Sequence, residues 1–154
     1  MEIRKIFKAE MAHRVADAYS TRCRGVHGHS YIFEVGLVGG LDCVGMIMDF
    51  KELKDKLGSF LDSFDHALLI QDTDQFLVEN ADKLNSRWVV VPYNPTAENM
   101  AIHIFTQAKE IGLPVSYVIV HETATGFAKA IHTDTKIEWL SKVKYSEETA
   151  WNTK

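Results

Sequence analysis

The sequence predicts an α+β domain, an antiparallel sheet with helices on one face. Three observations carry this. Segments of period-two alternation cluster at both ends of the chain. Two stretches of helical periodicity, opening near Asp49 and Thr96, lie between them. Short turns rather than linkers separate the segments, so sequential hairpins with helices between them are the simplest packing. At 154 residues the chain suits one domain, expected over residues 1–140, followed by a polar tail over 141–154.

The first strand is read from Ile3, Phe7, Ala9, Met11 and His13 at odd positions against Glu2, Arg4, Lys8 and Glu10 at even ones. Alternation puts the two sets on opposite faces, so His13 ends a largely apolar face. An irregular stretch from Val15 to Val26 follows. A second strand then runs from His27 or His29 to Val38, with His29, Tyr31, Phe33, Val35 and Leu37 on one side and a Gly39-Gly40 turn after it. Asp49 is placed to cap a helix, with Glu52 three positions on. Phe50, Leu53, Leu57, Phe60, Leu61 and Phe64 form its buried stripe, which outweighs the loss of about 1 kcal/mol at Gly58.

Residues 71–86 are polar, with a short helix expected around Phe76 and Leu77. Trp88 to Val91 reads as a short strand stopped by Pro92. Thr96 caps a second helix whose inner face is Met100, Ala101, Ile104, Phe105, Ala108 and Ile111, ended by Gly112. Two strands close the domain, about Val115–Glu122 and Phe127–Thr133. The tail from Ser141 is expected to fray.

Composition narrows the function. With 46% hydrophobic and 25% charged residues, the chain reads as an ordinary globular protein. A net charge of −4 argues against general nucleic-acid binding. The charged opening MEIRKIFKAEMAHR has no signal-peptide core, and no apolar run approaches the ~20 residues of a membrane span. Two cysteines, Cys23 and Cys43, are too few for a disulfide framework. A cytoplasmic setting is the expectation, in which a cysteine near histidines suggests metal binding or catalysis.

The chemistry centres on Cys23-Arg24-Gly25-Val26-His27-Gly28-His29. Two histidines at i and i+2 on a strand point the same way, and His13 can add a third imidazole if the two strands pair. Three neutral nitrogens with one open position is a recurring catalytic zinc arrangement. Unrelated surface or core histidines are the alternative. Cys23 admits two readings: the fourth ligand of a closed structural site, or an acid/base group beside an open one. Positive charge from a nearby ion and from Arg22 and Arg24 would favour its thiolate. Cys43 has no such neighbours and reads as a space-filling residue. Asp65-His66 is a candidate for a carboxylate-oriented imidazole, or for a plain helix end. Glu122 shares even positions with Val118 and Val120, where a carboxylate is costly unless paired. It has either a structural partner or a ligand with paired N–H donors. His103, His121 and His132 show no partner in sequence.

With these residues in view, the chain resembles the 6-pyruvoyltetrahydropterin and 6-carboxytetrahydropterin synthase family, from about Phe7 to about Ile131. Phe7 to His13 resembles the first metal-ligand strand, and Cys23 to His29 the catalytic loop and second ligand strand. Met48-Asp49-Phe50-Lys51-Glu52-Leu53-Lys54 and Asn94-Pro95-Thr96-Ala97-Glu98-Asn99 resemble the two helix openings. Phe64-Asp65-His66 and Glu122-Thr123 resemble the Asp-His and Glu-Thr pairs.

The resemblance implies a tunnelling fold: a four-stranded antiparallel sheet with two helices on one face, oligomerising into a barrel with active sites at subunit contacts. It implies zinc on His13, His27 and His29, and Cys23 as proton acceptor with Asp65, His66 and Glu122 in a relay. Glu122 would anchor the pterin edge, and Thr96 and Glu98 would shape the pocket. Arg14, Arg22 and Arg24 are candidates for meeting the triphosphate of 7,8-dihydroneopterin triphosphate. The three-residue gap between Cys23 and His27 resembles the carboxy-forming members more than the pyruvoyl-forming ones. A non-catalytic zinc-containing pterin- or purine-binding protein is the alternative of another class. The long 71–93 segment departs from the compact members.

Overall fold

The computed structural model describes residues 1–147. Its elements run β1 (Glu2–His13), α1 (Thr21–Arg24), β2 (His27–Val38), α2 (Phe50–Asp62), β3 (Ala67–Gln71), α3 (Gln75–Asn80), β4 (Arg87–Val91), α4 (Ala97–Glu110), β5 (Val115–His121), β6 (Phe127–Ile131), α5 (Ile137–Leu140) and β7 (Lys144–Tyr145). The α+β class and both long helices are as the sequence predicts. The sheet is not four-stranded. Among the described residues it has seven strands in the order β6-β5-β2-β1-β3-β4-β7. Four of them, β6-β5-β2-β1, are the antiparallel set. Beyond them β3 pairs parallel with both β1 and β4, and β7 pairs antiparallel with β4.

The extension comes from the 71–93 segment and its flanks. Ala67 to Ile70 are all buried, because β3 is covered on both faces. Ala67 and Leu69 join the main core with Val89 and Val91. Leu68, Ile70 and Val90 join a second cluster closed by Leu77 of α3 and Ala81. Helices therefore lie on both faces: α2 and α4 over the main core, α3 behind the extension. Tyr145 and Lys144, within the segment expected to be a free tail, add β7 to the edge; residues 148–154 lie outside the described residues. No helix among the described residues is long and apolar enough to cross a membrane.

Both helix caps form. Asp49 accepts from the Lys51 N–H at 2.6 Å, while Glu52 pairs with Lys56 at 2.8 Å. Thr96 accepts from the Asn99 N–H. Leu53, Leu57, Phe60, Leu61 and Phe64 are buried as expected, but Phe50, in the first turn, is 49% exposed. The Lys5 ammonium lies 5.8 Å from its ring centroid. Cys43 is likewise exposed, in the loop after β2, rather than filling space.

His103, on the inner face of α4, is fully buried against Phe60 and Phe64 and meets the Tyr93 hydroxyl through Nδ1 at 2.6 Å. Burial pushes its pKa down to about 3. The unfolded chain binds this proton near 6.5 and the folded chain does not. Folded-state stability is therefore lost as pH falls from about 6.5 toward 3. Denaturant melts of the wild type should show that slope between pH 7 and pH 4. His103→Leu should start less stable, because Tyr93 loses its partner, and follow a flatter pH dependence.

Candidate active site

Strand register builds the centre. In the β1–β2 ladder His13 faces His27 directly, and Met11 faces His29. Directly opposed residues have side chains about 5 Å apart, which brings the rings together. Ring centroids are 4.6 Å apart for His13–His27, 5.0 Å for His27–His29 and 5.4 Å for His13–His29. Gly28 between them packs against the Met11 carbonyl, which a Cβ would crowd at 3.3 Å.

Hydrogen bonds set which nitrogen each ring presents. His13 Nδ1 donates to the Pro95 carbonyl at 2.6 Å, and His27 Nδ1 donates to the Gly25 carbonyl at 2.8 Å. Both rings then turn an Nε2 lone pair inward. These two Nε2 atoms lie 3.1 Å apart. Two lone pairs at that distance repel unless a proton or a cation lies between them. A tetrahedral zinc with nitrogens at about 2.0–2.1 Å holds them about 3.4 Å apart, close to this spacing. His29 Nε2 is buried without a hydrogen-bond partner. Burial pushes the His29 pKa down, against the pull of Glu122, and so favours the neutral ring that a metal needs. The residues present therefore fit a divalent metal.

Glu122 completes the cluster. It follows β5, and its Oε1 lies 3.2 Å from both His13 Nε2 and His29 Nε2. Contact with His13 first, and then the neighbouring imidazoles, hold its carboxyl below the usual range against the effect of burial. One ligand atom from each of His13, His27, His29 and Glu122 falls within 4.8 Å of the others. Sequence reasoning placed Glu122 on the core face without placing it among the histidines. Its even register with Val118 and Val120 was the available signal. The Tyr31 hydroxyl, 3.3 Å from His13 Nε2, is a neighbour that reasoning did not find.

Cys23 lies in α1, which the Val15 N–H fastens to the end of β1 by donating to the Cys23 carbonyl at 2.8 Å. The thiol is outside the four-residue cluster. It lines a cleft of about 570 Å³ that also contains His13, His27, Thr96, Glu98 and Glu122. That volume suits a small organic ligand. The geometry thus favours a thiol beside an open centre over a thiol closing it. None of Arg14, Arg22 and Arg24 lines this cleft. Arg14 makes a bidentate pair with Asp74, two contacts of 2.6 Å that tie α3 to the end of β1.

Asp65 and His66 touch: His66 Nδ1 donates to Asp65 Oδ2 at 2.9 Å. Asp65 Oδ1 accepts from the Glu10 N–H at 2.8 Å. Burial pulls the Asp65 carboxyl upward, but the Glu10 N–H, His66 and Arg87 together hold it below its ordinary value. The pair is not in the Cys23 cleft. His66 lines a separate hollow of about 410 Å³ with Glu10, Ala12, Gly28 and Ser30 at even positions of β1 and β2, and with Met11 and His29 at odd ones. The odd positions carry the histidine cluster, so within one chain the sheet lies between His66 and Cys23. His121, unpartnered in sequence, bonds Glu34 at 2.9 Å.

An imidazole trio with a carboxylate at the end of a sheet, beside a cleft lined by a thiol, is a centre that could hold a metal next to a bound small molecule. The family model for 6-pyruvoyl tetrahydropterin synthase matches residues 2–132, and the chain belongs to that family. The 6-carboxy-5,6,7,8-tetrahydropterin synthase of Haemophilus influenzae is 34% identical over 137 residues, 83% of this chain and 96% of that protein. The Helicobacter pylori J99 protein of the same name is 32% identical over 151 residues, 87% of this chain and 74% of that one. Among solved structures, an uncharacterized Wolinella succinogenes protein superposes with a TM-score of 0.70 at 24% identity, covering 86% of this chain and 98% of its own. The 6-pyruvoyl tetrahydropterin synthase of Caenorhabditis elegans gives 0.63 at 23%, covering 85% and 94%. These two likenesses concern the fold.

Proposed function

We propose that the chain is a zinc-dependent 6-carboxytetrahydropterin synthase. It would convert 7,8-dihydroneopterin triphosphate and one water into 6-carboxytetrahydropterin, acetaldehyde and triphosphate, on a route to queuosine and other deazapurines. The observation that carries this is the His13–His27–His29–Glu122 cluster opening into the Cys23 cleft, in a chain whose relatives bear that name.

His13, His27 and His29 would hold the zinc, which when bound would supply Lewis-acid stabilisation of charge developing on the substrate's side-chain oxygens. The protein's own groups then divide the work. Cys23, as thiolate, takes a proton from the side-chain carbon next to the ring. His66, oriented by Asp65, returns a proton elsewhere on the substrate. Glu122 turns its carboxylate toward the paired N–H donors of the amino-pyrimidine edge, and Thr96 and Glu98 border the ring. The position of His66 across the sheet from Cys23 supports a site completed by a second protomer. A barrel-forming homo-oligomer would supply one, with the thiol from one chain and the Asp–His pair from another.

The pyruvoyl product is the second reading. It draws on the family's name, and release of acetaldehyde separates the two. Glu122→Gln tests the pterin anchor. An amide cannot make the charge-assisted pair, so KM should rise about tenfold to a hundredfold while the three imidazoles keep the metal. Steady-state kinetics with metal analysis of the same preparation would check both.

A further inference from the structure

Arg87 opens β4 and reaches back beneath the turn that carries Asp65 and His66. Its Nη1 donates to the Asp65 carbonyl at 2.9 Å, and its Nη2 to the Asp62 carbonyl at 2.8 Å. Nη2 also lies 3.2 Å from Asp62 Oδ2. The Asp62 carbonyl belongs to the last residue of α2, where a cation is favoured by the exposed carbonyls of the helix end.

The turn needs such restraint. His66 is in the left-handed region, with φ +54°, a conformation that is unfavourable for a non-glycine residue. Such residues persist only where the surroundings over-determine them. β1 supplies one side of that restraint: the Glu10 N–H donates to Asp65 Oδ1 at 2.8 Å, and the His66 N–H donates to the Glu10 carbonyl at 2.7 Å. Arg87 supplies the other side. Held from both strands, the Asp65 carboxylate meets His66 Nδ1, and the ring stands 75% exposed with Nε2 available. The guanidinium is a poor choice for filling space alone. It is only 19% exposed, and its Nε is buried without a partner, which is destabilising.

We propose that Arg87 is the positioning residue of the Asp65–His66 pair, a planar fork from β4 that holds two carbonyls of the α2–β3 turn and so presents the imidazole in one orientation. This rests on the reading of that pair as a proton-transfer unit. It also gives the extended sheet a role in the site, because the strand that carries Arg87 belongs to the extension. Lysine cannot replace the fork, since one ammonium does not span two fixed carbonyls in a plane.

The test compares Arg87→Met, Arg87→Lys and Asp62→Asn in the full-length metal-loaded protein. Arg87→Met should lower kcat about tenfold to a hundredfold, the scale of a small misplacement of a reacting group. KM and bound metal should stay within about twofold of wild type, because the hydrogen bonds of Arg87 go to Asp62 and Asp65 and not to the histidine cluster. Arg87→Lys should fall between, and it keeps the experiment decisive if the Met variant does not fold. Asp62→Asn keeps both carbonyl contacts and should match wild type. Nitrogen-15 NMR of His66 supplies a readout that needs no substrate: the hydrogen-bonded Nδ1–H signal of the wild type should broaden or vanish in the Arg87 variants. An unchanged signal with unchanged kcat would overturn the proposal, as would an equal loss in Asp62→Asn. Absence of wild-type turnover together with the NMR change would count against the pterin reading and leave the positioning role supported.

Discussion

Cys23→Ala should keep its full complement of metal and its assembly state while turnover falls by about 10²- to 10⁴-fold, the usual contribution of a positioned acid or base. The thiol lies in the cleft and outside the group formed by His13, His27, His29 and Glu122. Removing it takes nothing from the centre. The change is also small for the fold: Cys23 is part-exposed, and its tie to β1 is made by its backbone carbonyl, which alanine retains. Metal content by mass spectrometry, together with single-turnover kinetics, separates the two readings of this residue. If the metal left with the thiol, Cys23 would be a ligand of a closed site and the catalytic account would fail.

His29→Ala should have the opposite signature. Metal and turnover should disappear together, with metal affinity lowered by at least about a hundredfold. Loss of an orienting partner alone costs about ten- to a hundredfold in metal sites, and loss of a direct ligand costs more. His29 is the cleanest of the three to change. His13 is buried and its Nδ1 holds the Pro95 carbonyl, so its removal would also damage the loop before α4. His29 is 23% exposed, and its Nε2 makes no hydrogen bond, with the Glu122 carboxylate 3.2 Å away as its polar neighbour. Competition with a chromophoric chelator would measure the affinity, with far-UV circular dichroism to show that the sheet persists. Wild-type affinity in this variant would remove the histidine cluster from the mechanism.

Much of the centre was legible in sequence because strand alternation is a strong signal. His13 at the end of one apolar face and His27 and His29 on the next strand needed only antiparallel pairing to meet, and the register supplies it. Asp65 and His66 were legible as residues but not as a contact. Their hydrogen bond depends on the left-handed φ of His66 and on the backbone of Glu10, fifty-five positions away from Asp65. Glu122 was legible as a costly carboxylate on an apolar face, but its place among the imidazoles depends on where β5 ends beside β2. The sheet extension was the largest omission. β3 is buried on both faces, so its apolar run shows no alternation to mark it as a strand. β7 contributes two residues and α1 four, too few for any periodicity. Phe50 shows a different limit: a residue in phase with a buried stripe can still point outward in the first turn of a helix.

The most direct measurement is product analysis. Purified protein loaded with zinc would be incubated with 7,8-dihydroneopterin triphosphate, and the products followed by mass spectrometry. The expected result is 6-carboxytetrahydropterin with an equal amount of acetaldehyde and of triphosphate. The pyruvoyl product without acetaldehyde would contradict the carboxy assignment. No turnover by the intact, metal-loaded protein would contradict the proposed reaction altogether.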